Sequence, residues 1–191
     1  MIMLPQWYCD AMPLLVGGDT GASGAMLRNG ILGQLHGLFS QRPGTFAVAF
    51  PGPEPQRFAL RVFASSRDDL DWLAENSLAR PWFRDYARLI YPCAVPADFD
   101  GKWTRFVRYR IPSLSSDRHE EAHGQLRKRR MQEARRAGMT YFILHSAETG
   151  QRFSLVVNRE PGEPQREDCT PNGYGFSVTS RPFSLPELAW A

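Results

Sequence analysis

Two apolar runs, residues 45–50 and 58–64, stand on either side of Pro51-Gly52-Pro53, and this pairing constrains the fold more than any other stretch. The first, Thr45-Phe46-Ala47-Val48-Ala49-Phe50, carries no charge, as befits a strand buried on both faces; the second alternates as the next strand. The Pro-Gly-Pro stop between them makes a hairpin plausible. Upstream, Leu27, Ile31, Leu35, Leu38 and Phe39 recur at helical spacing over residues 23–39, with Ser23 as N-cap. Downstream, Asp68 and Asp69 fall in the first turn of a short helix over residues 67–75, where the helix dipole favours acids. An earlier strand over residues 7–16 admits Pro13 only at an edge or a bulge, and Gly17-Gly18 ends it. A short extended piece at residues 92–96 closes the series.

That order, βαββαβ, is the ferredoxin-like pattern, and it predicts an α+β protein with a ferredoxin-like domain over residues 1–97. After the turn-rich junction at residues 96–101, a second half over residues 98–191 opens with a strand at residues 104–111. Further strands are expected at residues 140–145, 151–158 and 174–179, with an exposed Pro-, Glu- and Gln-rich loop at residues 160–168. Between the first two of these strands lies a basic helix, about residues 117–137, with Asp117 and Glu120 suited to its start and Gly138 to its stop.

Charge is concentrated there. Residues 102–136 hold eleven basic side chains against four acids, a net of +7 in a chain whose total is only +3. Such segregation points to a polyanion and not to general solubility. On a helix, Lys128, Gln132, Arg135 and Arg136 share one side with Arg129 adjoining, while Ala122, Leu126 and Ala134 lie opposite. A row of that kind suits a groove or a phosphate backbone; for RNA the natural target is a hairpin with an accessible groove end.

Other classes are set aside by composition. With 42% hydrophobic and 12% aromatic residues the chain is not disordered, and no apolar run approaches a membrane span. Cys9, Cys93 and Cys169 are widely spaced and form no CxxC pair, so neither a disulfide framework nor a zinc site is indicated. Residues 1–7 lack the pattern of a secretory signal, and a reducing cytoplasm is the expected compartment.

Candidate chemistry is sparse. Asp19-Thr20-Gly21 resembles the active-site turn of retroviral-type aspartic proteases, but the glycines before it and the missing downstream apolar-apolar-Gly element favour a turn at a helix start. His36 adjoins the apolar stripe through Leu32 and Leu35 and is either a packed side chain or a base. Neither it nor His119, His123 and His145 shows metal-ligand spacing. Asp68, Asp69 and Asp71 are explained by solvation at a helix start. Residues 144–157 look like a hairpin whose turn, residues 147–150, leaves Ser146 and Phe153 near one end. In Asn172-Gly173-Tyr174-Gly175-Phe176-Ser177 the flanking glycines signal close backbone approach, by packing or by a ligand. The apolar tail at residues 183–190 is either a protein contact or core packing.

Taken together, Gly33-Gln34-Leu35-His36-Gly37-Leu38, the strand ending Val48-Ala49-Phe50-Pro51, the basic helix, residues 146–153 containing Thr149-Gly150-Gln151 and Phe153, and Gly173-Tyr174-Gly175-Phe176-Ser177 resemble the type I-F CRISPR repeat-processing endoribonucleases in order and spacing. The resemblance spans residues 7 to about 180. It implies a ferredoxin-like domain followed by a smaller RNA-binding half. It also implies that His36 is the catalytic histidine, Ser146 the serine that positions the ribose hydroxyl, and Tyr174 the active-site tyrosine. Phe153 takes the place of the aromatic residue beneath the closing base pair. Arg108 and Arg110 stand where the family reads base edges with an arginine and a glutamine, a departure that bears on base preference. Arg127, Lys128, Arg129, Arg130, Gln132, Arg135 and Arg136 form the RNA-binding helix, whose arginine cluster is shorter than in better-known members.

The reaction this implies needs no metal and no cofactor. RNA carries its own nucleophile, the 2′-hydroxyl, so scission requires deprotonation, in-line geometry and stabilisation of the phosphorane. The implied partners are a CRISPR repeat hairpin and, after cutting, the other subunits of a surveillance complex. Two alternatives are a non-catalytic RNA-hairpin-binding module and, further off, an aspartic-protease-like domain using Asp19.

Overall fold

The hairpin forms where the two apolar runs predict it. In a computed structural model that describes residues 4–14, 22–51, 58–112, 120–146, 149–165 and 167–190, β2 (Ala47–Ala49) and β3 (Leu60–Ala64) pair antiparallel, Val48 facing Val62. The free edge of β3 pairs with β1 (Trp7–Pro13), and β1 with β4 (Ala87–Leu89). The resulting order, β2-β3-β1-β4, is antiparallel throughout, with α1 (Ala22–Phe39) and α2 (Arg67–Leu78) as the two crossovers. This is the ferredoxin-like arrangement.

Helix α1 starts at Ala22, which places Ser23 in its first turn and not at the cap. Of its periodic residues Ile31, Leu35, Leu38 and Phe39 are buried, as is Leu32 beside them, while Leu27 is half-buried. Helix α2 runs past the expected residue 75 to Leu78; Ser66 caps it by accepting the Asp69 N–H, and Asp69 pairs with Arg42 at 2.8 Å. Asp69 is thus buried and paired at the helix start, and not solvated there as expected. The segment carrying Asp19 lies outside the described residues.

The outer strand differs from expectation. It begins at β4, directly after a short helix, α3 (Pro81–Tyr86), which has Pro81 in its first turn. It then resumes as β5 (Cys93–Ala94). Ala11 faces Leu89 but Tyr8 faces Cys93, so the outer strand carries one extra residue, a bulge at the point where Pro92 has no N–H to give.

The second half builds a separate sheet. Strand β7 (Thr140–His145) pairs with β8 (Arg152–Gly162), β8 with β6 (Trp103–Tyr109), and β6 with β9 (Leu185–Pro186). β8 extends through the first part of the expected 160–168 loop. Residues 174–179 do not form the predicted strand. Gly175 takes φ +80°, a bend incompatible with extended backbone, and only Ser177 bridges to β6, at Val107. Helix α4 (Glu120–Arg136) joins β6 to β7, and Asp117, its expected start, lies outside the described residues. Its end is the predicted one: Gly138 adopts φ +61°, the Met139 N–H reaches the Ala134 carbonyl and the Gly138 N–H the Arg135 carbonyl.

The two sheets share one core. The Phe50 ring, just beyond β2, meets Phe106, Phe142 and Phe176 of the second half edge-on at 4.9, 5.5 and 6.2 Å. Each such fully buried ring contributes roughly 1.5–3 kcal/mol through apolar surface removed from water. Helix α1 packs against β7, where Arg28 donates to the Tyr141 carbonyl at 3.0 Å and lies 4.5 Å from the Phe142 ring centre. The C-terminal tail packs into the core through its first part: Phe183, Ser184 and Leu185 are buried, and Arg61 donates to the Leu188 and Ala189 carbonyls. Among the described residues no helix is long and apolar enough to cross a membrane.

Candidate active site

His36 occupies the last turn of α1, a helix fixed at that end by Arg80, whose guanidinium donates to the Gln34 carbonyl at 2.9 Å. The imidazole is half-buried, and Nδ1 lies 2.6 Å from the Gly173 carbonyl oxygen. A carbonyl only accepts, so this contact requires a proton on Nδ1, and a neutral ring making it keeps its lone pair on Nε2. No hydrogen-bond partner meets Nε2 among the described residues.

Tyr174 stacks on that imidazole, ring centres 3.9 Å apart and planes 18° from parallel. Phe153 in turn meets Tyr174 edge-on at 6.4 Å. Burial raises the Tyr174 phenol above its ordinary value, with the Arg108 charge partly offsetting it, so the phenol stays protonated at neutral pH. Arg108 is drawn down first by burial and then by Arg110, while Tyr174 opposes the shift; its guanidinium remains charged. His36, Tyr174, Phe153 and Arg108 come from α1, a loop, β8 and β6, and the fold brings them to one place.

The loop is responsible for much of this. Gly175 gives its carbonyl to the Val48 N–H of β2 at 2.8 Å, and Ser177 exchanges hydrogen bonds with Phe106 and Arg108 of β6 at 2.9 Å. It therefore ties the first sheet to the second beside His36. A Cβ on Gly175 would lie 2.6 Å from Val48 Cγ2, and one on Gly173 would lie 3.3 Å from His36 Cε1. The glycines beside Tyr174 do mark close backbone approach, to β2 and to the histidine.

Ser146 follows β7 at the hairpin end. Its N–H donates to the Gln151 carbonyl at 2.9 Å, and its Oγ accepts the Thr149 N–H at 3.2 Å. Register sets Phe142, Leu144 and Ser146 on one face with their partners Leu155, Phe153 and Gln151. Ser146 thus lies two pairs beyond Leu144 and Phe153, past His145 and Arg152, on the face whose Phe153 ring touches Tyr174. No hydrogen bond joins Ser146 to His36.

The basic helix divides its arginines between two tasks. Arg127 donates to the Pro112 carbonyl, and Arg130 donates to the Arg110 carbonyl while its guanidinium lies 5.5 Å from the Tyr109 ring centre. These two dock α4 on the end of β6, helped by a Tyr109–Glu133 hydrogen bond. Lys128, Arg129, Gln132, Arg135 and Arg136 are exposed, and Ala134 is buried, as the helical spacing predicts. A groove of about 530 Å³ beside the helix is lined by Arg108, Arg110, Arg130 and Phe153, with Leu126 and Ser154. Among the described residues no group of His, Cys, Asp and Glu is disposed to hold a metal ion.

Asn172 and Gly173 carry roles that sequence reasoning did not assign. Their Asn-Gly dipeptide is a turn signal, and that turn delivers the carbonyl to His36.

The family model Cas_Csy4, a CRISPR-associated protein, matches residues 14–187. Comparison with curated protein sequences finds no match. Among solved structures, one named as a chlorite dismutase aligns at 14% identity and a TM-score of 0.31, covering 81% of this chain and 79% of its own.

Proposed function

This chain belongs to the Cas_Csy4 family of CRISPR-associated proteins, the type I-F repeat-processing endoribonucleases, and we propose that it cuts the repeat hairpin with His36 as general base and no metal ion. The family supplies the substrate, CRISPR repeat RNA, and the reaction class, RNA endonucleolysis. The observation that carries the mechanism is the 2.6 Å contact between Nδ1 and the Gly173 carbonyl, which leaves Nε2 bare, beside a Tyr174 ring that meets Phe153 of the arginine-lined groove.

In this reading Nε2 takes the 2′-hydroxyl proton, the 2′-oxygen bonds to the adjacent phosphorus, and the bond from phosphorus to the 5′-oxygen breaks. The leaving oxygen acquires a proton from water, and the hydroxide so formed takes the proton held on Nε2, which restores the base. A 2′,3′-cyclic phosphate and a 5′-hydroxyl result, with electrons and atoms balanced. General base assistance of this kind is worth about 10²–10⁴-fold. Ser146, on the face shared with Phe153, fixes the ribose by hydrogen bonding; Tyr174 holds the imidazole by stacking; and Phe153 offers a ring to the last base pair of the stem. Arg108 and Arg110 meet guanine edges or phosphates in the groove, and the exposed Lys128, Arg129, Gln132, Arg135 and Arg136 follow the backbone. Arg127 and Arg130 act mainly by holding α4 against β6.

The same reading assigns residues 1–97 to the ferredoxin-like domain and 98–191 to the RNA-binding half, working in the cytoplasm. The protein then stays on the processed hairpin as a subunit of the surveillance complex. A labelled repeat hairpin incubated with the protein in EDTA and resolved on a denaturing gel tests the proposal. A single cut at the 3′ foot of the stem is expected; bound but uncut RNA would instead make this a non-catalytic hairpin-binding module, and a strict magnesium requirement would refute the mechanism.

A further inference from the structure

We infer that Asn172 is a positioning residue for the cleavage reaction, fixing the tautomer of His36 through the loop it closes; this rests on His36 being the base proposed above. Asn172 makes four hydrogen bonds within five residues. Its side-chain Oδ1 accepts the N–H groups of Tyr174 at 2.8 Å and Phe176 at 3.2 Å. Its backbone N–H donates to the Phe176 carbonyl at 2.9 Å, and its own carbonyl accepts the Gly175 N–H at 2.8 Å. Every one of these bonds closes the loop around Gly173, whose carbonyl is directed at the imidazole.

That carbonyl selects between two chemically different histidines. With the proton on Nδ1, the contact at 2.6 Å is a hydrogen bond and Nε2 is a base. With the proton on Nε2, two lone pairs would face each other at that distance and the substrate would be offered an N–H instead. Removing the Asn172 oxygen frees the Tyr174 and Phe176 N–H groups, and with them the loop geometry that holds both the Gly173 carbonyl and the Tyr174 ring against His36. The attachments of Gly175 to β2 and of Ser177 to β6 survive that change, so the RNA groove keeps its walls.

The experiment compares Asn172→Ala with Asn172→Asp. Aspartate restores the acceptor oxygen and replaces the Nδ2 donor, which has no partner among the described residues, with a carboxylate oxygen, so its negative charge is the one further change. Three quantities are read: single-turnover cleavage rate at saturating protein, hairpin Kd, and the His36 tautomer by nitrogen-15 NMR of labelled histidine, assigned against His36→Ala. Wild-type protein should show the Nδ1–H form. Asn172→Ala should cleave about 10- to 100-fold more slowly, the size expected when a reacting group is misplaced by about 1 Å, with unchanged Kd and a signal moved toward the Nε2–H form. Asn172→Asp should recover most of the rate and the wild-type tautomer.

An Nε2–H tautomer in the wild type overturns the inference whether or not the alanine variant folds. So does wild-type rate and tautomer in Asn172→Ala, or a rate loss matched by an equal loss of affinity. The underlying reading fails separately, if His36→Ala cleaves normally, because the tautomer measurement does not depend on cleavage.

Discussion

Removing Asp10 should cost this protein more stability than any other single carboxylate substitution. Asp10 on β1 faces Arg61 on β3, and the two join by paired bonds of 2.6 and 2.7 Å with the Arg61 side chain only 2% exposed. The same guanidinium donates to the Leu188 and Ala189 carbonyls and lies 4.3 Å from the Tyr8 ring centre and 4.2 Å from that of Trp190. In Asp10→Ala the cation stays buried without an anion, a change that typically costs about 3–5 kcal/mol. The two tail carbonyls still solvate it, which favours the lower end, about 3 kcal/mol. At about 2–4 °C per kcal/mol for a chain of this size, Tm falls by about 6–12 °C. Arg61→Met should lose a similar amount by stranding Asp10, whereas the double variant Asp10→Ala/Arg61→Met should be far more stable than the summed losses, since it leaves no desolvated charge without a partner. Thermal melts followed by circular dichroism measure all four proteins. A melt of Asp10→Ala within about 1 °C of wild type, or strict additivity in the double variant, would refute the reasoning.

Gly30 and Gly33 lie on the same helix yet should respond oppositely to alanine. At Gly33 a Cβ meets nothing within 4 Å, so urea denaturation should show Gly33→Ala about 0.5–1 kcal/mol more stable, whereas at Gly30 a Cβ would lie 2.3 Å from Trp82 and Gly30→Ala should be about 1–3 kcal/mol less stable. Charge reversal at the exposed Lys128 and Arg136 should weaken hairpin binding at low salt and flatten its salt dependence by about one power of salt per lost phosphate contact. Unchanged affinity would move the RNA face elsewhere. A thiol reagent at pH 8 should label Cys93 alone at once, because Cys9 is buried and burial, helped by Asp168, pushes the Cys169 thiol up to about 12. Rapid labelling of all three thiols would contradict the packing.

The parts of this fold that were legible in the sequence are those where local pattern and tertiary demand agree. Ile31, Leu35 and Leu38 repeat at helical spacing because one face of α1 is buried, and Gly138 ends α4 because the chain turns there through positive φ. Strand β7 lies at the residues expected for it. The outer strand of the first sheet was misplaced because Pro92 interrupts it; the bulge hides its beginning at β4, and α3 is too short for periodicity to reveal. Strand propensity in Tyr174-Gly175-Phe176-Ser177 gave way to Asn172, whose side chain satisfies N–H groups that a strand would have offered to a neighbour.

The candidate site was legible in a different way. No pattern within the chain links His36 to Tyr174, 138 positions later, or either to Phe153. Their association came from the order of short motifs, and the three rings do lie together. The basic run did announce itself, but its charge count overstates the surface it offers. Arg127 and Arg130 turn inward to backbone carbonyls, a distinction that helical spacing alone blurs because both border the exposed face. Arg61 was read only as part of a strand, since nothing local marks a cation that is neutralised 51 residues away and covered by the tail.

Single-turnover cleavage of a repeat hairpin by His36→Ala, in EDTA and with Kd measured on the same preparation, bears on the central claim most directly. Loss of cleavage by about 10²-fold or more with hairpin affinity retained is the predicted result; cleavage at the wild-type rate would contradict it and place the base elsewhere.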